Sequence, residues 1–383
     1  MKYQHEPCDA GKHSAHPTLV FMALRLLRQQ SVYHIRNLLC YALVFCCCIP
    51  NSACMANALT SAWSKLVSGF RTKFLIRFRI RFRIRFRTRF VTRLRARFPE
   101  FFAKLPAFVQ LTRLDRPVGI LLLLWPTIGA LWIAAEGFPN LSLLLIFSFG
   151  TAVMRSAGCC INDYADYKID GHVHRTVNRP LARGILTRKD AMACFMFLSA
   201  IGFFLVLLTN WTTVLLSFGA IVVISIYPFM KRFTNLPQLV LGVAFSWGIL
   251  MAFTAVTVAV PAAAILLFVA NALWTIAYDT QYAMVDREFD KEIGVKSTAI
   301  LFGDADKVII AMLQVMFVLA MYLAGQRFDL GTAYNLSLLI ASGLLAYQQY
   351  LIRERTPGQC FKAFLNNNWV GAVIFVGIAL SYF

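Results

Sequence analysis

From Gly119 to its last residue the chain is a succession of apolar stretches, each close to the length of about 20 residues that a helix needs to cross roughly 30 Å of hydrocarbon. They run Gly119–Ala135, Leu141–Cys159, Ala191–Thr209, Thr212–Met230, Leu236–Val256, Pro261–Tyr278, Val308–Ala324, Thr332–Leu351 and Trp369–Phe383. A backbone in lipid must satisfy its own hydrogen bonds, so spanning segments are helices or the shorter strands of closed barrels. Stretches of this length predict an all-α, polytopic membrane protein with nine transmembrane helices. With 59% hydrophobic and 15% charged residues, the chain is far less charged than soluble domains, where about a quarter of residues are charged.

The connections alternate. One set is short and nearly free of basic residues, as in "EGFPN", "TNW" and "GQRFDLG". The other carries Lys168, Arg175, Arg179, Arg183, Arg188 and Lys189, then Lys231 and Arg232, then Arg287, Lys291, Lys296 and Lys307, then Arg353, Arg355 and Lys362. The positive-inside rule puts the second set in the cytoplasm. Inside the spans ionisable residues are scarce, which speaks against a transporter or channel with midplane charges. Arg155 is the main exception.

The basic connections also hold acid: "INDYADYKIDGHVHRTVNRPLARG" between spans two and three, and "AYDTQYAMVDREFDKEIGVKSTAILFG" between spans six and seven. If the preceding helix continues past the bilayer surface, Asn162, Asp166 and Asp170 stand four residues apart on one helix face, with Asp163 beside them. Asp286 and Asp290 have the same spacing, with Asp279 two turns earlier on that face. Either cluster alone reads equally well as solvated loop carboxylates. Two matched clusters, with Asp166 and Asp286 four spans apart, suggest a duplicated helical unit. Converging carboxylates stay ionised only beside a compensating cation. Hard oxygen ligands favour Mg²⁺, which takes one or two carboxylates together with substrate phosphate oxygens. Arg175, Arg179, Lys231, Arg232 and Lys291 can hold diphosphate oxygens that metal does not reach, although topology alone would also place basic residues there. The ten cysteines show no CxxC spacing and read as free thiols.

"NDYADYKID" and "YAMVDREFD" resemble the two aspartate-rich motifs of the UbiA-type intramembrane prenyltransferases. The similarity extends to "RLDRPVGILLLLWPT", "RTVNRPLARG", "YPFMKR", "KSTAILFG" and "CFKAFLNNNWVG", and so covers roughly Leu111 to the end. The resemblance implies nine helices around a central cavity capped by the two acidic segments. Asn162, Asp166, Asp170, Asp286 and Asp290 would bind Mg²⁺ and the diphosphate of a polyprenyl donor. Asp163 and Asp279 would support them, with Lys168, Arg116 and the basic residues named above on the substrates. The implied reaction moves the polyprenyl group from its diphosphate to the carbon ortho to the hydroxyl of 4-hydroxybenzoate, a step towards ubiquinone. Where the family often has arginine this chain has Tyr167, and His174 stands where lysine is frequent, so Arg232 becomes the leading candidate for the catalytic cation. Other aromatic acceptors are the alternative within the family. A CDP-alcohol phosphotransferase, faintly suggested by "DGHVHR", keeps its acids in one short motif. Trp125, Phe245, Trp247, Trp274 and Tyr278 can shelter a carbocation through their π faces, but ordinary helix packing explains such residues better.

Before residue 104 the chain is a different object. Up to Glu100 there are 18 basic against 3 acidic residues, and afterwards 20 against 15, dividing the net +20 into +15 and +5. "FRIRFRIRFRTRF" (Phe78 to Phe90) puts arginine on one face of an extended strand and apolar residues on the other. We read residues 1–103 as a basic low-complexity extension that contacts anionic lipid, with no nucleic-acid partner, and 104–383 as the prenyltransferase core. The expected location is the bacterial inner membrane with the site facing the cytoplasm. The alternatives are a mitochondrial transit leader or a start at Met55.

Overall fold

A computed structural model describes residues 96–171 and 176–383. The readings of the basic leader, including the arginine run, and of His174 and Arg175 lie outside those residues. Among the described residues the chain is helical and has no strand. Pro99–Phe383 forms one compact unit.

Its helices are α1 (Pro99–Leu111), α2 (Val118–Ala134), α3 (Leu141–Asp170), α4 (Arg188–Val206), α5 (Trp211–Phe233) and α6 (Pro237–Thr257). They continue with α7 (Ala262–Ala283), the short α8 (Arg287–Glu292) and α9 (Thr298–Phe302), then α10 (Asp306–Arg327), α11 (Thr332–Ile352) and α12 (Pro357–Leu380). Seven segments of the described residues are long and apolar enough to cross a membrane, the last but one running Thr298–Arg327. This is a membrane protein. The expectation of nine spans exceeds that set by two: α2 has 17 residues, and α11 carries Asn335, Gln348 and Gln349 among its apolar residues.

Helix starts follow local chemistry. Thr187 and Asp190 form a reciprocal capping box at α4. Asn210 accepts from Thr213 N–H (3.0 Å) at α5, and proline stands in the first turn of α6 and of α12. α3 meets no glycine or proline between Cys159 and Gly171, so it runs on for 30 residues, about 45 Å at 1.5 Å per residue. Its last turns therefore project beyond the hydrocarbon.

α2, α6 and α7 pack against one another and against α10 to α12. Their largest core cluster includes Leu131, Ile249, Phe253, Trp274, Phe317, Tyr334 and Val370. A second cluster joins α1, α3 and α4 through Leu111, Cys160, Ile161, Leu186 and Phe195. Within the first block side-chain amides form a ladder. Gln281 (α7) and Gln314 (α10) both donate to Gln348 Oε1 on α11, at 3.1 and 2.9 Å. Gln348 donates to Asn366 and Asn367 donates to Gln281, each at 3.0 Å. Trp274 Nε1–H donates to Asn367 at 2.8 Å. α12 consequently starts at Pro357, twelve residues before the Trp369 expected from hydropathy. Its asparagines interrupt the apolar run without interrupting the helix, because they are answered inside the bundle.

The carboxyl ends of α3, α5, α7 and α11 and the start of α10 share one end of the molecule. Lys231 (α5) bonds Asp166 (α3), and Lys296 N–H bonds the Lys231 carbonyl. Lys307 Nζ (α10) donates to the Arg353 carbonyl after α11. The basic connections predicted to share a face do so.

Candidate active site

The first acidic motif occupies the projecting end of α3. Asp163, Asp166 and Asp170 are all buried, and each meets a cation. Asp163 lies about 60° from the Asp166 direction on the helix and faces back towards the α1–α2 connection. There Arg113 Nη2 donates to both its oxygens at 2.9 and 3.0 Å. Arg179, from the loop after α3, donates to Asp163 (3.0 Å) and to both oxygens of Asp170 (2.9 and 2.7 Å). Lys231 Nζ donates to Asp166 at 2.8 Å. Burial pushes the Asp170 carboxyl above the usual carboxylate range, with Arg179 opposing the shift and Asp163 adding to it. Burial works against the charge on Arg179, but Asp163 and Asp170 outweigh it and hold the guanidinium well above its ordinary value. Thr176 Oγ1 donates to the Asp170 carbonyl (2.9 Å) and fastens the start of the following loop.

Pro228 stands inside α5 one turn before Lys231 and Arg232. Arg232 Nη2 donates to the Ala165 carbonyl, which ties α5 to α3. Tyr167 stacks against Arg188, whose guanidinium lies 4.5 Å from its ring centroid and 4.2 Å from that of Tyr164. The position without the family arginine therefore receives a guanidinium over its face from the first residue of α4.

The second motif departs from its expected geometry. α7 stops at Ala283, where the backbone tightens to Val285 N–H to Tyr282 and Asp286 N–H to Ala283 carbonyl bonds. A new helix opens at Arg287 with Asp286 as its cap residue. Asp279 thus belongs to α7 and does not share a continuous helix face with Asp286 and Asp290. Those two keep their spacing through Asp290 N–H to the Asp286 carbonyl (2.8 Å). Asp279 and Asp166 both lie within electrostatic range of Tyr227 on α5, so the two motifs approach one another across that helix. Among the described residues no three acidic, histidine or cysteine side chains form a ready cluster for one ion. Mg²⁺ does not require one, since it takes one or two carboxylates with substrate phosphate. Asn162, Asp166 and Asp170 on one side, and Asp286 and Asp290 on the other, supply hard oxygen without thiolate or imidazole, which fits that ion.

Of the remaining expected residues, Lys168 is exposed and Lys291 pairs with Glu288 at 3.1 Å. The Arg116 side chain is 79% exposed, 3.7 Å from Asp115. Three arginines were missed as site residues. Arg113 takes the inward place beside Asp163. Arg287 (3.0 Å) and Arg355 (2.9 to 3.1 Å) both clamp Asp306, which is 0% exposed, and so tie the second motif to α10 and to the α11–α12 turn. Asp306 also accepts from Lys307 N–H (2.7 Å). Asp306 opens α10 right after the "KSTAILFG" element, and that placement was the available sequence signal.

Towards the bilayer an apolar pocket enclosing about 440 Å³, part of it open to the outside, lies between α2, α6, α7, α10 and α12. Trp125, Trp274, Phe317 and Phe375 line it. Trp274 stacks on Phe317 (5.4 Å, 12°) and Trp125 on Phe375 (5.7 Å). Trp247 instead packs on Gly219 and donates to the Leu216 carbonyl.

A multi-helix membrane protein with two acid-bearing loops gathered over an apolar interior defines an intramembrane enzyme class that handles diphosphates of lipid-soluble groups. Sequence comparison makes the class specific, since the UbiA prenyltransferase family matches residues 123–371. The chain belongs to that family. A 4-hydroxybenzoate octaprenyltransferase of Saccharophagus degradans is 59% identical over 279 residues, 73% of this chain and 93% of that protein. One of Hahella chejuensis is 56% identical over 283 residues, 74% and 94% respectively. Among solved structures, the apo UbiA homolog from Aeropyrum pernix K1 superposes with a TM-score of 0.61 at 25% identity, over 68% of this chain and 97% of its own. A UbiA homolog from Archaeoglobus fulgidus bound to GPP and Mg²⁺ shares the fold at 20% identity, TM-score 0.54, over 72% and 99%.

Proposed function

We propose that the protein transfers a polyprenyl group from polyprenyl diphosphate to the ring carbon ortho to the hydroxyl of 4-hydroxybenzoate, on the cytoplasmic side of a bacterial inner membrane. The observation that carries this is Lys231. Its ammonium holds Asp166 of the first motif while its carbonyl accepts from Lys296 beyond the second, so one residue knits both acidic segments into one end of the bundle. The relatives from Saccharophagus degradans and Hahella chejuensis carry the same activity in their names.

Asn162, Asp166, Asp170, Asp286 and Asp290 would hold Mg²⁺, and the ion when bound neutralises charge on the leaving diphosphate. Lys231 and Arg179, already facing these carboxylates, are placed to take diphosphate oxygens as the allylic C–O bond ionises. The apolar pocket receives prenyl chain and excludes water, which would otherwise trap the allylic cation. The electron-rich phenol ring then attacks, and its displaced ring proton leaves to an aspartate or a diphosphate oxygen.

The test is incorporation of label from a polyprenyl diphosphate into 4-hydroxybenzoate in membranes containing the full chain. EDTA and, separately, Asp166→Ala are each expected to lower the rate by more than about 100-fold, in the range of losing a principal electrostatic contributor. Activity surviving both would overturn the reading.

A further inference from the structure

The asparagines of α12 reach beyond the amide ladder to the two tryptophans of the apolar pocket. Asn367 Oδ1 takes the Trp274 indole N–H at 2.8 Å, and Asn368 Oδ1 takes that of Trp125 at 2.9 Å. Each indole also stacks on a phenylalanine, Trp274 on Phe317 and Trp125 on Phe375. One turn further along α12 stands Gly371, on which the two indoles converge: a Cβ there would lie 2.8 Å from Trp125 Cδ1 and 3.0 Å from Trp274 Cη2. A hydrogen bond and a stacked ring therefore hold each indole, and in an apolar surround an N–H that swings away finds no other acceptor.

The pocket is elongated along the helices. Its lining on α2 steps from Trp125 through Gly129 to Ile133, and on α12 from Gly371 through Ile374 to Ile378, a length of about 12 Å at 1.5 Å per residue. Trp274 precedes Asp279 by five residues on α7, about 7.5 Å along the axis, so the indoles stand at the end nearer the acids. A prenyl chain whose diphosphate is held at the acidic end passes them with its first isoprene units.

We propose that Trp125 and Trp274, braced by Asn368 and Asn367, select the geometry of the donor's first double bond. They admit the E isomer, whose chain continues along the pocket, and refuse the Z isomer, whose chain turns back against an indole. This rests on the transfer reaction proposed above and on the pocket as the place of the prenyl chain. The two isomers carry the same atoms, the same charge and nearly the same apolar surface, so only a wall that does not yield can tell them apart. A misfit of about one methylene in an apolar pocket is worth roughly 10- to 200-fold. Asn367 and Asn368 are positioning residues, since they act through the indoles. Asn367 also belongs to the ladder through Gln281, which makes Asn368 the cleaner of the two to change.

The experiment compares geranyl with neryl diphosphate, and all-E with 2Z,6E-farnesyl diphosphate, as donors to 4-hydroxybenzoate for the full chain in membranes. In parallel, tryptophan quenching on the purified full chain gives Kd for the thiolodiphosphate analogues of each pair, whose C–S bond resists ionisation. Wild type is expected to favour the E isomer at least about tenfold in kcat/KM and in Kd. Asn368→Leu, which keeps the volume and removes the acceptor, is expected to bring both ratios below about threefold. Trp125→Phe removes the N–H that Asn368 serves, so adding Asn368→Leu to it is expected to change the ratios no further. Gly371→Ala pushes a methyl between the indoles and is expected to raise the donor KM and Kd at least about tenfold for both isomers; it carries the test if the Leu variant fails to accumulate. Equal use and equal binding of the isomers by wild type, a ratio retained in Asn368→Leu, the same loss with and without Trp125→Phe, or a donor Kd unchanged by Gly371→Ala overturns the assignment. If neither isomer labels 4-hydroxybenzoate, the transfer reading fails while the Kd ratios still decide the role of the indoles. Transfer to 4-hydroxybenzoate without isomer preference overturns the selection alone.

Discussion

Asp306 allows a sharp test of how the second acidic segment is held. Its carboxylate is 0% exposed and is shared by Arg287 and Arg355. Arg287 has a side chain 13% exposed, whereas Arg355 is 30% exposed. Removing the acid leaves two guanidinium groups facing each other, only one of which can turn to water. Breaking such a buried pair from one side costs about 3–5 kcal/mol. A fold of this size moves by about 2 °C per kcal/mol, so Asp306→Ala should lower the unfolding midpoint in detergent by roughly 6–10 °C, read by tryptophan fluorescence. Arg355→Gly makes the contrast. It removes the more exposed cation, whose pKa the Asp306 hydrogen bond raises, but leaves Asp306 paired with Arg287. It also relieves a non-glycine residue at φ 53°, a strain worth about 1 kcal/mol or more. Its net cost should be about 1 kcal/mol, or roughly 2 °C. Equal shifts for the two variants, or a shift under 2 °C for Asp306→Ala, would refute the argument.

Arg113→Ala should cost about 1.5–3 kcal/mol by removing charged hydrogen bonds to buried Asp163, whereas Arg116→Ala should stay within about 0.5 kcal/mol; parallel denaturation curves check both. Gly377→Ala drives a methyl into Ser337 across the α11–α12 contact and should cost about 1–3 kcal/mol. Pairing it with Ser337→Gly should recover part of that, as a double-mutant cycle will read. Deleting residues 1–98 should leave prenyl transfer unchanged in protein that inserts normally, and loss of activity in such protein would show that the leader contributes.

The reach of α3 was legible because its apolar run passes into "NDYADYKID" without a breaker, so length and acid spacing agree on one helix. The end of α7 was not. "DTQYAMVDREFD" contains no glycine or proline, and the break arises from backbone bonds that tighten as the chain turns to meet α9 and α10. The resemblance likewise pointed to Arg116 and not to Arg113, because the choice depends on the turn after α1, where Arg113 adopts φ 57°. The three asparagines of α12 looked like a loop to hydropathy, which scores amides as if they faced solvent and cannot register partners on three other helices. Arg155 stood out on charge alone, but its buried Nε without a hydrogen-bond partner is visible only in three dimensions.

The amide ladder also sets the order in which the molecule can be completed. Gln281, Gln314 and Gln348 enter the bilayer on α7, α10 and α11, yet two of the oxygens that close the ladder, those of Asn366 and Asn367, belong to α12, which is made after all three. Until α12 is released from the ribosome, Gln348 lacks an acceptor and Trp274 Nε1–H has nothing to donate to, in a solvent that offers neither. The interior therefore cannot close before α12 has entered the bilayer. A chain truncated before α12 carries those amides into lipid without their partners, at a cost on the order of a few kcal/mol for each unsatisfied group.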